Sequence, residues 1–176
     1  MAVKMNGTLL DLVEGDLTAM EVQAIVNPSN PDLKLGEGGV SKAILDKGGK
    51  SIQDECKRIG GAAVGTAVMT GAGELPHDQV IHAVGPTMGE GDEDRKLASA
   101  VRSSLALADR NGLKSIAIPA ISTGSNGFPV QRCARILLTE VHRYLQGGTK
   151  LETVIVCLHD EDTYKRFRQE LRRGFR

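Results

Sequence analysis

Short apolar runs, set apart by stretches with helical periodicity, constrain this sequence more than any other feature. Residues 8–13 (TLLDLV), 24–26 (AIV), 66–70 (TAVMT), 79–84 (QVIHAV), 115–121 (SIAIPAI) and 153–158 (TVIVCL) read as strands. Several are apolar throughout, as in strands covered on both faces. Between them, Leu97, Val101, Leu105 and Ala108 recur at helical spacing, and so do Val130, Ala134, Leu137, Val141 and Leu145. Each such helix lays one apolar stripe on a sheet. The first opens near the acids Asp92 and Asp94, and the second has Pro129 in its first turn and stops before Gly147 and Gly148, as helix ends favour. A last helix runs from about Asp160 to Arg173, acidic where it begins and basic where it ends. Strands alternating with helices predict a single three-layer α/β/α sandwich over residues 1–176 with a mixed, mostly parallel central sheet.

Composition removes several functional classes. A chain of 176 residues buries roughly 70% of its unfolded surface, enough for an independent core. Its 22 basic and 22 acidic side chains cancel, which argues against a dedicated DNA-binding or membrane-surface domain while allowing local patches. Cys56, Cys133 and Cys157 are an odd number without a C-x-x-C pair, so neither a disulfide framework nor a zinc site is readable, and they read as small buried hydrophobes. The N-terminus lacks a signal-peptide pattern and no 18 apolar residues run together, so an intracellular, cytoplasmic protein, nuclear in a eukaryote, is expected. His82 lies within an alternating strand and reads as a core histidine. The basic run from Lys165 to Arg173 reads as a solvated face, with Glu161 and Asp162 four residues before Lys165 and Arg166.

The loops after strands are where open α/β sheets bind ligands. Residues 27–40 leave one strand through Asn27-Pro28-Ser29-Asn30-Pro31 and enter a helix near Val40 through Gly36-Glu37-Gly38-Gly39. Residues 122–129, Ser122-Thr123-Gly124-Ser125-Asn126-Gly127-Phe128-Pro129, make a second strand-to-helix passage. Each is either a plain glycine turn or a cradle of backbone N–H groups for an anion; two cradles together would hold a diphosphate. No G-x-x-x-x-G-K-[ST] motif is present, and position 41 is Ser where G-x-G-x-x-G needs its third glycine, so neither standard nucleotide fold applies. On composition alone, Asp16 is an exposed turn residue or helix cap.

In order along the chain, Gly15-Asp16-Leu17-Thr18, Asn27-x-x-Asn30, Gly36-x-Gly38-Gly39-Val40, Val80-Ile-His82-Ala-Val-Gly85-Pro86, Pro119-Ala-Ile-Ser122-Thr123-Gly124 and Gly127-Phe128-Pro129 resemble the macro domain family over nearly the whole chain. The resemblance implies a three-layer module that binds ADP-ribose. It implies an adenine-selecting carboxylate at Asp16, aided by the Leu17 N–H. Gly38, Gly39, Val40 and Ser41 would lie on one side of the diphosphate, and Ser122, Thr123, Gly124, Ser125, Asn126 and Gly127 on the other. Asn30 would meet the distal ribose and is the one candidate catalytic residue, while Asn27 holds its loop. Phe128 either packs near that ribose or forms an apolar lid over the helix start. His159 either stacks on adenine or caps the following helix. No metal and no cofactor are implied, and a monomer is expected.

The departures bear on chemistry. Hydrolytic relatives carry Asn-Ala-Ala-Asn, four glycines and then Val-Asp; here the matching residues are Asn27-Pro-Ser-Asn30, Gly36-Glu37-Gly38-Gly39 and Val40-Ser41. Serine cannot replace a carboxylate as base at neutral pH. Glu37 would repel a diphosphate unless turned away. The expectation is therefore binding of ADP-ribose, free or attached to proteins, with slow or absent hydrolysis. The alternatives are hydrolysis of ADP-ribosylated proteins or of small derivatives such as ADP-ribose 1''-phosphate, and binding of poly(ADP-ribose) or RNA with the basic C-terminal helix as an accessory.

Overall fold

A computed structural model describes residues 1–174. Seven strands form one sheet: β1 (Ala2–Met5), β2 (Thr8–Glu14), β3 (Ala24–Ser29), β4 (Ala67–Gly71), β5 (Gln79–Val84), β6 (Ser115–Ile118) and β7 (Thr153–Leu158). Their order is β1-β2-β7-β6-β3-β5-β4. The five central strands are parallel, and β1 and β4 are antiparallel edges, the mixed, mostly parallel sheet expected from sequence. Five helices cover it: α1 (Gly39–Gly48), α2 (Lys50–Ile59), α3 (Glu93–Arg110), α4 (Val130–Leu145) and α5 (Glu161–Gly174).

Neighbouring residues of the central strands feed two separate cores. Ile25, Val80, Val84 and Ala117 meet Ile44, Ile52 and Cys56 from α1 and α2. Val26, Ile81, Ile116, Ile118 and Val156 meet Leu97, Val101, Leu137 and Phe167 from α3, α4 and α5. A strand with helices on both faces has no solvent side, which is why these runs are apolar throughout and do not alternate. Among the described residues no helix is long and apolar enough to cross a membrane.

Two strand ends differ from the sequence reading by three residues each. The run 115–121 is strand only to Ile118, because Pro119 has no N–H for the ladder. By contrast β3 runs past 24–26 to Ser29 and includes Pro28. Its pairing with β6 ends at Ile25, so beyond that point no ladder bond on the β6 side depends on the missing N–H. Two elements escape the pattern altogether. β1 is joined to β2 by Asn6 and Gly7, both at positive φ, a two-residue turn that suits the twist of a hairpin. α2 buries only Ile52 and Cys56, too thin a stripe to read as a helix.

The chain leaves β3 into α1 on one face and leaves β6 into α4 on the other. Adjacent strands whose exits part in this way form a topological switch point. While β3 stays paired with β5 through Ser29 and Val84, its pairing with β6 stops at Ile25 and Ala117. A crevice opens between the diverging exits.

The wall of that crevice is fixed by a buried polar chain. Asn27 and His82 are register partners; the Asn27 amide lies 3.0 Å from His82 Nδ1, and His82 Nε2 lies 2.9 Å from Thr70 Oγ1, which donates to the Gly71 carbonyl. An amide donor at Nδ1 puts the ring proton on Nε2, so each group in the chain has a role. Burial holds the His82 pKa down to about 4, so the ring is neutral at physiological pH. The sign follows: between pH 6.5 and about 4 the unfolded chain takes up a proton that the folded chain refuses. Stability should therefore fall by roughly 3 kcal/mol as pH drops through that window. His82→Gln should cost stability at neutral pH yet flatten this acid slope in urea unfolding at about pH 7 and pH 5; a slope equal to the wild type's would show that another group is responsible.

Candidate functional site

The crevice is the floor of a cleft of about 520 Å³ at the carboxyl ends of the parallel strands. Asp16 and Leu17 follow β2, His159 follows β7, residues 119–126 follow β6, Asn30 and residues 37–41 follow β3, and Gly85 follows β5. From β2 to β3 is three strand spacings, about 14 Å at ~4.8 Å each, the scale of an extended nucleotide.

Two walls present backbone N–H groups. α1 begins at Gly38 with no side-chain cap, so its first N–H groups and the positive end of its dipole face the cleft unsatisfied. Gly38 has φ +92, a conformation that L side chains rarely adopt. Facing it, the loop after β6 is closed by Gly127 N–H to Gly124 and Phe128 N–H to Ser122. The N–H groups of Gly124, Ser125 and Asn126 find no backbone acceptor among the described residues. This loop is braced from the side: Met88 N–H donates to Asn126, and the Asn126 amide reaches the Pro86 carbonyl at 3.4 Å. Ser122 sits at φ +69, and a Cβ on Gly85 would lie 2.3 Å from its hydroxyl and 2.6 Å from Ile121. Only glycine at position 85 lets the β5 and β6 exits approach so closely. Among the described residues no lysine or arginine lines the cleft, so the positive potential in it is that of peptide dipoles.

At the β2 end, Asp16 both caps and pairs. Its Oδ1 accepts from the Thr18 N–H at 2.9 Å and the Thr18 hydroxyl at 2.7 Å; its Oδ2 accepts from Lys47 at 2.6 Å. The Lys47 ammonium, and then the Thr18 donors, hold the Asp16 pKa below its ordinary value. With Oδ1 occupied twice and Oδ2 once, the carboxylate keeps acceptor capacity on Oδ2. Cys157 lies on the floor of the cleft, and burial together with the Asp16 charge raises its thiol to about 11. It stays protonated and is no nucleophile at neutral pH.

At the β3 end, Asn30 Nδ2 donates to Glu37 Oε2 at 3.0 Å. The Glu37 carboxylate is thus turned toward Asn30, and it does not cap the α1 N–H groups beside it. Ser41 lies in the lining but is 3% exposed, and its hydroxyl accepts from the Gly36 N–H at 3.1 Å. It clasps the glycine loop onto α1.

Of the residues singled out in the sequence, Asp16, Leu17, Asn30, Gly38, Gly39, Val40, Ser41, Ser122, Thr123, Gly124, Ser125, Asn126 and His159 line one cleft. Gly127 and Phe128 do not line it. Phe128 is 2% exposed, packed in the core beneath its loop with the Arg132 guanidinium 5.1 Å from the ring centre, because an apolar ring beside polar turns gains most by burial. His159 is exposed on the rim and bonded to Asp160 at 3.0 Å; the cap of α5 is Asp160, which accepts from the Thr163 N–H. Asn27 is structural. Lys47 was not singled out, since nothing local marks a lysine in the last turn of a helix as the partner of an aspartate 31 residues earlier.

The family model described as Macro domain matches residues 26–137. The chain is 46% identical over 170 residues to a macro domain-containing protein of Caldanaerobacter subterraneus, covering 92% of this chain and 97% of that one. It is 43% identical over 161 residues to O-acetyl-ADP-ribose deacetylase 1 of Pantoea vagans, covering 88% and 94%. The Oceanobacillus iheyensis macrodomain with ADP superposes with a TM-score of 0.94 at 31% identity, over 98% of this chain and 95% of that one. The Trypanosoma brucei macrodomain in complex with ADP-ribose does so with a TM-score of 0.85 at 35% identity, over 91% and 68%.

The clasp at Ser41 carries an expected outcome. Ser41→Ala strands the Gly36 N–H and should cost about 1–2 kcal/mol in urea unfolding. Ser41→Thr, which keeps the acceptor, should lose less of the clasp. Equal stability of Ser41→Ala and wild type would show that the clasp does not hold the loop.

Proposed function

The chain belongs to the macro domain family, and from that premise we propose that its cleft binds ADP-ribose, free or attached to protein. The observation that carries this reading is the pair of facing backbone N–H walls, the uncapped α1 start and the loop after β6. A diphosphate fits between them, held by dipoles alone. Adenine lies at the β2 end, where the free acceptor capacity of Asp16 Oδ2 meets the exocyclic amine and the Leu17 N–H meets a ring nitrogen. The distal ribose lies at the β3 end beside Asn30, whose amide both donates and accepts.

Hydrolysis is the second reading, favoured by one observation: a carboxylate, Glu37, is bonded to Asn30 where the distal ribose would lie. Polymer binding has less support, since Lys165 and Arg166 of the basic helix are already paired with Glu161 and Asp162.

By calorimetry ADP-ribose should bind in the micromolar range or tighter, roughly −8 kcal/mol, and AMP far more weakly. Equal affinities would contradict the roles given to Asn30 and the second N–H wall. Asp16→Ala should lose about 1.5–3 kcal/mol of binding, with circular dichroism reporting an intact fold; unchanged affinity would move adenine elsewhere.

A Cβ on Gly124 would meet nothing within 4 Å, so Gly124→Glu should fold, place a carboxylate in the diphosphate cradle and abolish binding. Gly148→Ala, before β7 at the amino ends of the strands, should leave affinity unchanged. A folded Gly124→Glu protein with normal affinity would remove the β6 loop from the site.

A further inference from the structure

We propose that Glu37 is the proton acceptor for hydrolysis of an acyl ester carried on a hydroxyl of the distal ribose, and that Asn30 is the residue that positions it. The inference rests on the ADP-ribose reading of the cleft. It also revises the expectation, drawn from Ser41, that the site lacks a base.

Elimination leaves one group. Two carboxylates line the cleft, Asp16 and Glu37. Asp16 stands at the β2 end with Lys47 and Thr18 on its oxygens, far from any group on a ribose at β3. The Ser41 hydroxyl is buried and bonded to Gly36, and the Cys157 thiol stays protonated. His159 belongs to the β7 tip and is bonded to Asp160. Among the described residues that line the cleft at its β3 end, only Glu37 can take a proton.

Its orientation is not that of a helix cap. Immediately before an uncapped helix start, a glutamate would gain by turning back onto the free N–H groups. Glu37 instead gives Oε2 to the Asn30 amide. A carboxylate held there also opposes the binding of an anion between the N–H walls, a cost that a purely binding site has no reason to carry. The bond to Asn30 fixes the carboxylate while leaving Oε1 open to a water among the described residues. Its partner is a neutral amide, not an ammonium.

The step balances without a co-reactant. Water gives a proton to Glu37 as its oxygen adds to the ester carbonyl carbon, and the carbonyl π pair moves onto oxygen. Collapse of the tetrahedral intermediate breaks the bond from acyl carbon to ribose oxygen, which takes the proton back from Glu37. The products are a carboxylic acid and ADP-ribose, with Glu37 restored as carboxylate.

The test uses O-acetyl-ADP-ribose as substrate and ADP-ribose as ligand, with wild type, Glu37→Gln and Asn30→Ala. Glu37→Gln, which keeps an acceptor for Asn30, should lose about 10²–10⁴-fold in kcat and lose the acid limb of the pH–rate profile. Its affinity for ADP-ribose should be unchanged or tighter. Asn30→Ala should lower kcat and retain the acid limb. Glu37→Gln turnover within about threefold of wild type would overturn the proposal, as would wild-type protein that binds ADP-ribose but releases no acetate. Absence of ADP-ribose binding by wild type would instead overturn the reading of the cleft itself.

Discussion

The divergence of β6 and β3 is the constraint on which the site depends. Paired strands satisfy one another's backbone groups, and a cleft of polar backbone can exist only where that pairing is released. Here it is released abruptly: Pro119 ends β6, while β3, still bonded to β5, continues through Pro28 to Ser29. The two exits then turn to opposite faces. Every feature of the cleft, from the uncapped α1 start to the glycine contact that lets residue 85 touch Ser122, follows from these strands parting company. The Asn27–His82–Thr70 chain keeps the β3–β5–β4 side rigid while they do so.

Among the described residues the lining of the cleft carries no formal positive charge, so any anion it takes is met by peptide dipoles. A zero net charge argued against a dedicated basic surface while allowing local patches, and among the described residues no lysine or arginine lines the cleft. Peptide dipoles fixed by the fold do not need reorganising when an anion arrives, and they aim at one position. A lysine would attract phosphates from any direction; two rows of N–H groups would accept a diphosphate in one pose. Lys47, whose ammonium reaches Asp16 at one end of the cleft, is engaged there.

Most of the sheet was legible because strands buried on both faces announce themselves as apolar runs, and most of the lining because its glycines and small polar residues cluster after strands. The failures have particular causes. β1 carries little apolar signal, although Asn6-Gly7 is a hairpin turn that local inspection could have found. Phe128 stood out as an aromatic residue in a polar loop, but sequence does not say which way a ring points, and it points into the core. Ser41 was read for the acid it replaces, and its part as a clasp was not legible, since its partner, Gly36, is visible only once the loop folds back. The orientation of Glu37 was invisible for the same reason: the bond to Asn30 joins two loop positions seven residues apart.

α1 touches both halves of the cleft. Its first turn supplies one N–H wall, and Lys47, in its last turn, holds the aspartate at the far end. Eight residues separate Val40 from Lys47 counted inclusively, about 11 Å along the axis at 1.5 Å per residue. The interval between the two is set by a rigid rod, whereas a loop could stretch. The helix therefore works as a spacer: the interval between the N–H wall and the partner of Asp16 is set by secondary structure before any side chain meets a ligand.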